Sequence, residues 1–248
     1  MKKIAIISGA SSGIGREIAR DLAARGEVDE LWLLARRADR LAALAGELGR
    51  PARVFALDLL SPEAAKAIAE ALAGEVDATV AFLVAAAGIG RAGAFAEGTA
   101  AAAEETVRLN CVALTTLVHT ALPYMAAGGR ILLLASAAAF LPQPYFAVYA
   151  ASKAYVLSFS RALARELRGR GVTVTAVCPG PVDTEFFGDR GVDPRKRRYM
   201  AEPTRVARGA VKAALRGRQV YTPTAAMRLC RLAAKLLPHG LLMRFFGK

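Results

Sequence analysis

The chain has 248 residues, a length that suits one large α/β domain, and its hydrophobic residues, 54% of the total, lie in short blocks along the whole sequence. No apolar run approaches the roughly 18 to 20 residues of a membrane-spanning helix, and the N-terminal segment reaches its first glycine too soon for a signal peptide. The net charge of +13 is concentrated in residues 195–248, which hold 14 basic side chains and one acidic side chain, so a nucleic-acid groove across the fold is not expected.

The cysteines and histidines indicate the compartment and argue against a metal site. Cys111, Cys178 and Cys230 are odd in number and far apart, so we expect buried free thiols in a reducing compartment such as the cytoplasm. His119 and His239 have no cysteine or acidic residue at ligand spacing, so no metal site is expected.

Apolar, β-prone blocks alternate with stretches long enough for crossover helices. The blocks cover residues 3–8, 31–35, 53–57, 79–85, 130–135 and 172–178. Strands that are apolar throughout are those buried on both faces, as in a parallel sheet between two layers of helices. We therefore predict an α/β fold, a doubly wound parallel sheet of three layers (Rossmann-like), in a single domain over residues 1–224.

A glycine-rich turn follows the first predicted strand and leads into a helical stretch from Arg16 to about Arg25. Glycines permit a tight turn and close approach of the backbone, and the helix N-terminus presents free N–H groups to a pyrophosphate. The spacing GxxxGxG is not the commoner GxGxxG, and such turns also use glycine for purely structural reasons. The candidate cofactor residues in this turn are Gly9, Ser11, Ser12, Gly13, Ile14 and Gly15.

The second predicted strand is followed by Arg36 and Arg37, where a site specific for NAD(H) usually has an acidic residue. The arginines either bind a 2′-phosphate through charge-assisted hydrogen bonds or are solvated residues that begin the next helix. We expect NADP(H) to be the preferred cofactor, with NAD(H) as the other candidate. Asp58, after the third strand, either accepts from the adenine amino group or is a turn residue before Ser61.

Four residues in the second half of the chain form a candidate catalytic set. Tyr149 and Lys153 lie one helical turn apart, and a fixed ammonium favours the phenolate form of a nearby tyrosine. Ser136 directly follows the fifth strand, where its hydroxyl could bond a substrate oxygen. Asn110 lies within a helical run over residues 100–124, which its amide is expected to disturb by bonding the backbone. Each of these residues alone has an ordinary structural explanation.

Together these residues resemble one family, the short-chain dehydrogenase/reductases, over roughly residues 3–185. The resemblance rests on the glycine turn, Asp58, Asn110, Ser136, the YxxxK pair at 149 and 153, and the segment PGPVDT at 179–184.

The resemblance implies roles for these positions. Tyr149 would be the general acid/base, and Lys153 would lower its pKa and bind the nicotinamide ribose. Ser136 would hold the carbonyl oxygen, and Asn110 would support a water relay to Lys153. Further positions expected to contact the cofactor, the last two at its carboxamide end, are Ala86, Gly88, Pro179, Gly180, Val182 and Thr184.

The chain departs from the family pattern in several places. Ser8 stands where the family usually has threonine, and residues 85–88 read Ala-Ala-Ala-Gly where it has Asn-Asn-Ala-Gly. The loss of both amides removes hydrogen bonds that brace the cofactor side of the sheet. The basic run at residues 195–198 and the basic C-terminal tail are not general family features either.

A segment over about residues 185–203, named here the lid, is expected to cover the substrate. Its residues Phe186, Phe187, Tyr199 and Met200 indicate lipophilic carbonyl substrates, such as steroids or acyl chains, rather than sugars. The basic run at 195–198 could instead meet an acidic substrate, or it could be a solvated face.

These observations predict an NADPH-dependent oxidoreductase that interconverts a ketone or aldehyde and an alcohol by hydride transfer. It would act on a small molecule as a homo-oligomer, either a dimer or a tetramer. The alternatives are a catalytically weak, NADP(H)-binding regulatory or membrane-associated protein and, as a minor hypothesis, a nucleic-acid binder using its tail.

Residues 225–248 are predicted to form two short amphipathic helices, interrupted by residues 238–240. The basic residues at 228, 231 and 235 recur at helical spacing on one side, and the apolar set on another side consists of Met227, Leu229, Leu232, Leu236 and Leu237. This pattern suits peripheral contact with an anionic membrane, or docking of the apolar face on the protein's own core or on a partner subunit.

Overall fold

The computed structural model describes residues 1–186 and 200–246 of the chain. The strands of the sheet are β1 (Lys2–Ser8), β2 (Glu30–Ala35), β3 (Ala52–Ala56), β4 (Ala78–Ala85), β5 (Arg130–Leu134), β6 (Thr173–Val177) and β7 (Val220–Tyr221). In the described part of the chain these strands are all parallel and follow the order β3-β2-β1-β4-β5-β6-β7. The strand order reverses direction between β1 and β4, so ligand binding is expected at the carboxyl ends of these two strands.

Helices connect the strands. They are α1 (Gly13–Arg25), α2 (Ala38–Glu47), α3 (Pro62–Ala73), α4 (Ala100–Val107), α5 (Leu114–Ala121), α6 (Ala147–Glu166), α7 (Pro203–Leu215), α8 (Ala225–Leu236) and α9 (His239–Phe246).

Both faces of the sheet are covered by helices, which explains why its strands are apolar on both sides. In β1, Ile4 and Ile6 lie in a hydrophobic cluster with residues of α3, α5 and α6. Ala5 and Ile7 lie in a second cluster with residues of α1, α2 and α7. All four side chains are fully buried. The predicted three-layer, doubly wound α/β architecture is therefore confirmed.

The elements differ from the sequence prediction at a few points. Each of the predicted strands is within one residue of its observed ends, but the half-buried edge strand β7 was not predicted. The helical run predicted over 100–124 is not continuous, because a π-helix covers Arg108–Ala113 and a 3₁₀ turn covers Leu122–Tyr124. The second tail helix begins at His239 rather than after residue 240. Pro238 can stand directly before it because the first turn of a helix needs no intrahelical N–H bonds.

Candidate active site

A cleft of about 780 Å³ lies along the carboxyl ends of the strands. Its wall includes the glycine turn after β1, the loops after β2 to β6, the first turns of α6 and part of α8. Every residue predicted from the sequence to act in catalysis or cofactor binding lines this cleft, with the exception of Asn110, which is fully buried behind it. The fold thus brings together side chains that are more than 170 positions apart in the sequence.

Two glycines of the turn pack so closely on neighbouring backbone that a side chain at either position would not fit. Gly9 has φ +67°, and a Cβ there would stand 2.8 Å from the backbone nitrogen of Ala87. A Cβ on Gly15 would collide with the carbonyl oxygen of Gly9. The glycines therefore bring backbone without side chains to the cleft at the N-terminus of α1, where free N–H groups suit a pyrophosphate.

Two arginines and two acidic residues lie at the end of the cleft beside β2 and β3. Arg36 is exposed and lines the cleft. Arg37 donates from Nε and Nη2 to Ser11 Oγ, at 3.2 and 3.0 Å, and its Nη1 lies 2.7 Å from Glu185 Oε2. Asp58 lines the cleft too, and its Oδ1 accepts from the Leu60 backbone at 3.0 Å, so it also serves as a turn residue.

The tyrosine and serine of the candidate catalytic set face each other at the middle of the cleft. Tyr149, 8% exposed, stacks on Phe146 with a centroid distance of 4.3 Å and lies 5.3 Å from the ring of Phe186. Ser136 caps a 3₁₀ turn, where its Oγ accepts from the Ala138 backbone at 3.1 Å. Burial raises the pKa of Tyr149 and outweighs an opposing hydrogen bond with Ser136, so the structure does not give the lowered pKa that the resemblance implies through Lys153.

Lys153 is buried beside this pair. Its Nζ donates to the carbonyl oxygen of Leu134 at 2.7 Å and lies 5.6 Å from the ring centroid of Tyr149. Gly88 leaves room for the amine, since a Cβ there would stand 3.2 Å from Nζ. Burial lowers the pKa of Lys153 from 10.5 to about 8, so the amine is still mostly charged at neutral pH.

Asn110 lies in the π-helix between α4 and α5 and holds the loop after β4. Its Oδ1 accepts from Ile89 N at 2.9 Å, and its Nδ2 donates to Ile89 O at 2.8 Å and to Ser152 Oγ at 2.9 Å. The amide thus bonds the backbone of a neighbouring loop, and the helix is widened at this point. Its part in a water relay stays a prediction.

Ser8 supports the segment that lacks the two asparagines of the family pattern. Its Oγ accepts from the backbone nitrogens of Ala86 and Ala87, at 3.1 and 3.3 Å. The segment is therefore anchored at one end by Ser8 and at the other by Asn110, although both amides are missing.

Several residues of the cleft were not assigned to the site from the sequence. Glu185 was included only within the lid, and Phe146 and Gly90 were not singled out. Met227 and Cys230, on one face of α8, close the cleft, so Met227 is separated from the apolar set to which it was assigned. Cys111 and Cys178 are buried as predicted, whereas Cys230 is only partly buried.

The lid is described only at its two ends. Phe186 packs against Tyr149, and Met200 is half-buried but does not line the cleft. Phe187, Tyr199 and the basic run at 195–198 lie outside the described residues.

Comparisons with known proteins agree with this geometry. A curated relative, sulfoacetaldehyde reductase 2 of Chromohalobacter salexigens, is 38% identical over 192 residues, which is 75% of each chain. A short-chain dehydrogenase from Sphingobium yanoikuyae, solved in complex with NADPH, superposes with a TM-score of 0.81 at 31% identity and covers 98% of this chain and 95% of its own.

A second solved structure is the bulky-bulky ketone specific alcohol dehydrogenase from Comamonas testosteroni. Its TM-score is 0.79 at 27% identity, with 98% of this chain and 94% of that chain covered. The family model described as short chain dehydrogenase matches residues 3–194. This match covers well over half of the sequence, and the chain therefore belongs to the short-chain dehydrogenase family of oxidoreductases.

Proposed function

We propose that the protein is an NADPH-dependent reductase that interconverts a lipophilic ketone or aldehyde and the corresponding alcohol. One observation carries the proposal: a single cleft joins the glycine turn and its flanking arginines to Ser136, Tyr149 and Lys153. The cofactor, when bound, supplies the hydride for the carbonyl carbon.

The residues of the cleft fit a nicotinamide dinucleotide. The bare backbone of the turn at 9–15 would hold the pyrophosphate, and Arg36 and Arg37 with Ser11 would hold a 2′-phosphate. Lys153 would bind the nicotinamide ribose. The remaining contacts carried over from the family are Asp58, Ala86, Gly88, Pro179, Gly180, Val182 and Thr184.

The proton chemistry follows from the environment of the catalytic set. Ser136 would hold the carbonyl oxygen, and Tyr149 would donate its proton to that oxygen. Because burial raises the pKa of Tyr149, the phenol is protonated near neutral pH, which is the form that reduction needs. The buried Lys153 ammonium would stabilise the phenolate that remains.

Removal of the phenol oxygen tests the proposal. Tyr149→Phe should lower the rate of carbonyl reduction with NADPH by about 10² to 10⁴, the usual contribution of a general acid. Binding of NADPH, followed by its fluorescence, should persist because the rest of the cleft is unchanged. Full activity of the variant would contradict the assignment, and tight NADPH binding without turnover of any carbonyl by the unmodified protein would favour a regulatory role.

The preference for NADPH rests on the arginines beside β2 and is supported by the NADPH complex of the Sphingobium yanoikuyae relative. Arg36→Ala should raise the KM for NADPH by about tenfold or more, since a charge-assisted hydrogen bond contributes about 1.5 to 3 kcal/mol. The KM for NADH should change little, because NADH carries no 2′-phosphate. An equal loss for both cofactors would refute the preference.

The walls of the substrate end support a lipophilic substrate. Phe146 and Phe186 pack against Tyr149, and Ile89 and Met227 also line the cleft. The name of the Comamonas testosteroni relative indicates that it takes bulky ketones, which agrees with such walls. The alternative of an acidic substrate depends on residues 195–198, which lie outside the described part of the chain.

An exposed apolar face on α4, α5 and α6 supports a homo-oligomer, as a dimer or a tetramer. Val107, Val112 and Tyr155 are 43%, 57% and 42% exposed and line one groove between these helices. Large exposed apolar side chains that cluster in this way are typical of subunit contacts.

The tail helix α8 has two apolar sides. Its inward side carries Met227 and Cys230 at the cleft, whereas Leu229, Leu232 and Leu236 are 68%, 52% and 72% exposed on the outward side. Docking on the protein's own core therefore does not account for the leucines. Within the described residues no helix is both long and apolar enough to cross a membrane.

We propose that these leucines contact an anionic membrane surface from the cytoplasmic side. Residues 203–248 hold ten basic and no acidic side chains, which suits anionic lipid. Two copies of the same face would bring like charges together, which disfavours self-association through it.

A further inference from the structure

Two ion pairs join the start of α2 to the start of the lid across the cleft. Arg37 Nη1 lies 2.7 Å from Glu185 Oε2, and Arg40 Nη1 lies 2.5 Å from Glu185 Oε1. The two arginines are three positions apart at the first turn of α2, whereas Glu185 is about 150 positions away in the sequence. Hydrogen bonds from both guanidiniums hold the pKa of Glu185 below its ordinary value, so the carboxylate is charged at neutral pH.

Arg37 belongs at the same time to the cofactor end of the cleft. Its Nε and Nη2 contact Ser11 Oγ in the glycine turn, while Nη1 is occupied by Glu185. Ser11, Arg37 and Glu185 all line the one cleft. The carboxylate thus lies against the guanidinium that the proposed function assigns to the 2′-phosphate of NADPH.

A carboxylate and a phosphate compete for the same donors. Both are oxyanions that accept charge-assisted N–H bonds from guanidinium groups, and both are favoured at a helix N-terminus. They also repel each other when they are close together. A phosphate can therefore bind Arg37 fully only after the carboxylate has moved away.

We propose that Glu185 is a cofactor-specificity residue, whose carboxylate occupies Arg37 and Arg40 and must leave them when a 2′-phosphate binds. The inference rests on the proposed function, since it concerns the same arginine site. Arg40, once released, becomes a further ligand of the 2′-phosphate. NADH has a hydroxyl at this position and leaves the ion pairs in place, so Glu185 reduces the discrimination between the two cofactors.

The test compares binding of NADPH and NADH to the full chain by fluorescence titration. Glu185→Gln keeps the size of the side chain and removes its charge. The three side chains are 39%, 42% and 53% exposed, so the expected effect is modest: about a threefold to tenfold lower Kd for NADPH, with the Kd for NADH unchanged. Adding Arg40→Ala to this variant should remove the gain.

Glu47→Gln is a matched control. Glu47 is 53% exposed, as Glu185 is, and pairs with Arg20 at 2.5 Å, but it does not line the cleft. Its replacement should leave both dissociation constants unchanged.

The outcomes separate the inference from the proposed function. If the unmodified chain prefers NADPH and Glu185→Gln has the same ratio of the dissociation constants for NADPH and NADH, the proposed function stands and the inference is wrong. An equal gain for NADPH and NADH also overturns it, because a looser lid would admit both cofactors. An unmodified chain that binds neither cofactor overturns both proposals.

Discussion

At the residue scale, Lys153 combines a catalytic assignment with a cost in stability. Its side chain is 3% exposed, and burial of the ammonium lowers its pKa from 10.5 to about 8. The carbonyl of Leu134 is the hydrogen-bond partner that makes this position tolerable, because a buried charge without a partner is strongly unfavourable. Residues that serve chemistry in this way commonly reduce the stability of the fold.

The lowered pKa of Lys153 predicts a pH dependence of stability. Between pH 8 and 10.5 the unfolded chain binds more protons at this residue than the folded chain, so the free energy of unfolding rises with pH in that window. The non-titrating variant Lys153→Met lacks this contribution. Urea unfolding should show that the free energy of unfolding of the wild type rises by about 3 kcal/mol relative to that of the variant as the pH is raised from 7 to 10.5. This figure follows from about 1.4 kcal/mol per pKa unit.

The matched control for this measurement is Lys212→Met, since Lys212 is exposed on α7. Its unfolding free energy should follow that of the wild type across the same pH range. A constant difference between the wild type and Lys153→Met from pH 7 to 10.5 would show that the lysine is not desolvated as described.

At the element scale, the parts of the fold that were predicted from the sequence are those with a strong local signal. The strands buried on both faces are apolar throughout, so each was located to within one residue. Strand β7 has only two half-buried residues and gives no such signal. The π-helix at Arg108–Ala113 was foreseen only as a disturbance around Asn110, because its position depends on the loop at Ile89 that the amide bonds.

The residues of the candidate site also divide into those with a signal in the sequence and those placed by tertiary packing. Tyr149, Lys153 and Ser136 were found because their spacing and their position after a strand are visible in the sequence. Glu185 and Met227 were not assigned to the cleft, because their proximity to it depends on how the lid and α8 fold back over the sheet. Helix periodicity grouped Met227 with the leucines, and only the tertiary packing separates the two sides of α8.

At the scale of the whole molecule, the chain has two exposed apolar surfaces of different charge character. The face on α4, α5 and α6 lies in the electrically balanced part of the chain, since residues 1–194 hold 20 basic and 20 acidic side chains. The outward side of α8 lies in the basic part, and no ion pair joins an arginine or lysine of α8 to a carboxylate of the described residues. We therefore propose subunit contact for the first surface and contact with anionic lipid for the second.

This assignment predicts that membrane binding and assembly can be separated by mutation. The full chain should co-sediment with vesicles that contain phosphatidylglycerol, less strongly as salt is raised, because screening weakens its attraction to anionic lipid. Replacing Leu229, Leu232 and Leu236 together by serine should abolish sedimentation. The molecular mass measured by light scattering should remain that of the dimer or tetramer formed by the unmodified chain.

The control for exposed apolar area is the pair Val76→Ser and Phe95→Ser. These side chains are 99% and 71% exposed in the balanced part of the chain, so their loss should not affect sedimentation. A triple leucine variant that falls to monomer mass would assign the outward side of α8 to a subunit interface instead. If the full chain does not sediment with anionic vesicles at low salt, the membrane assignment is wrong, because electrostatic attraction is strongest under that condition.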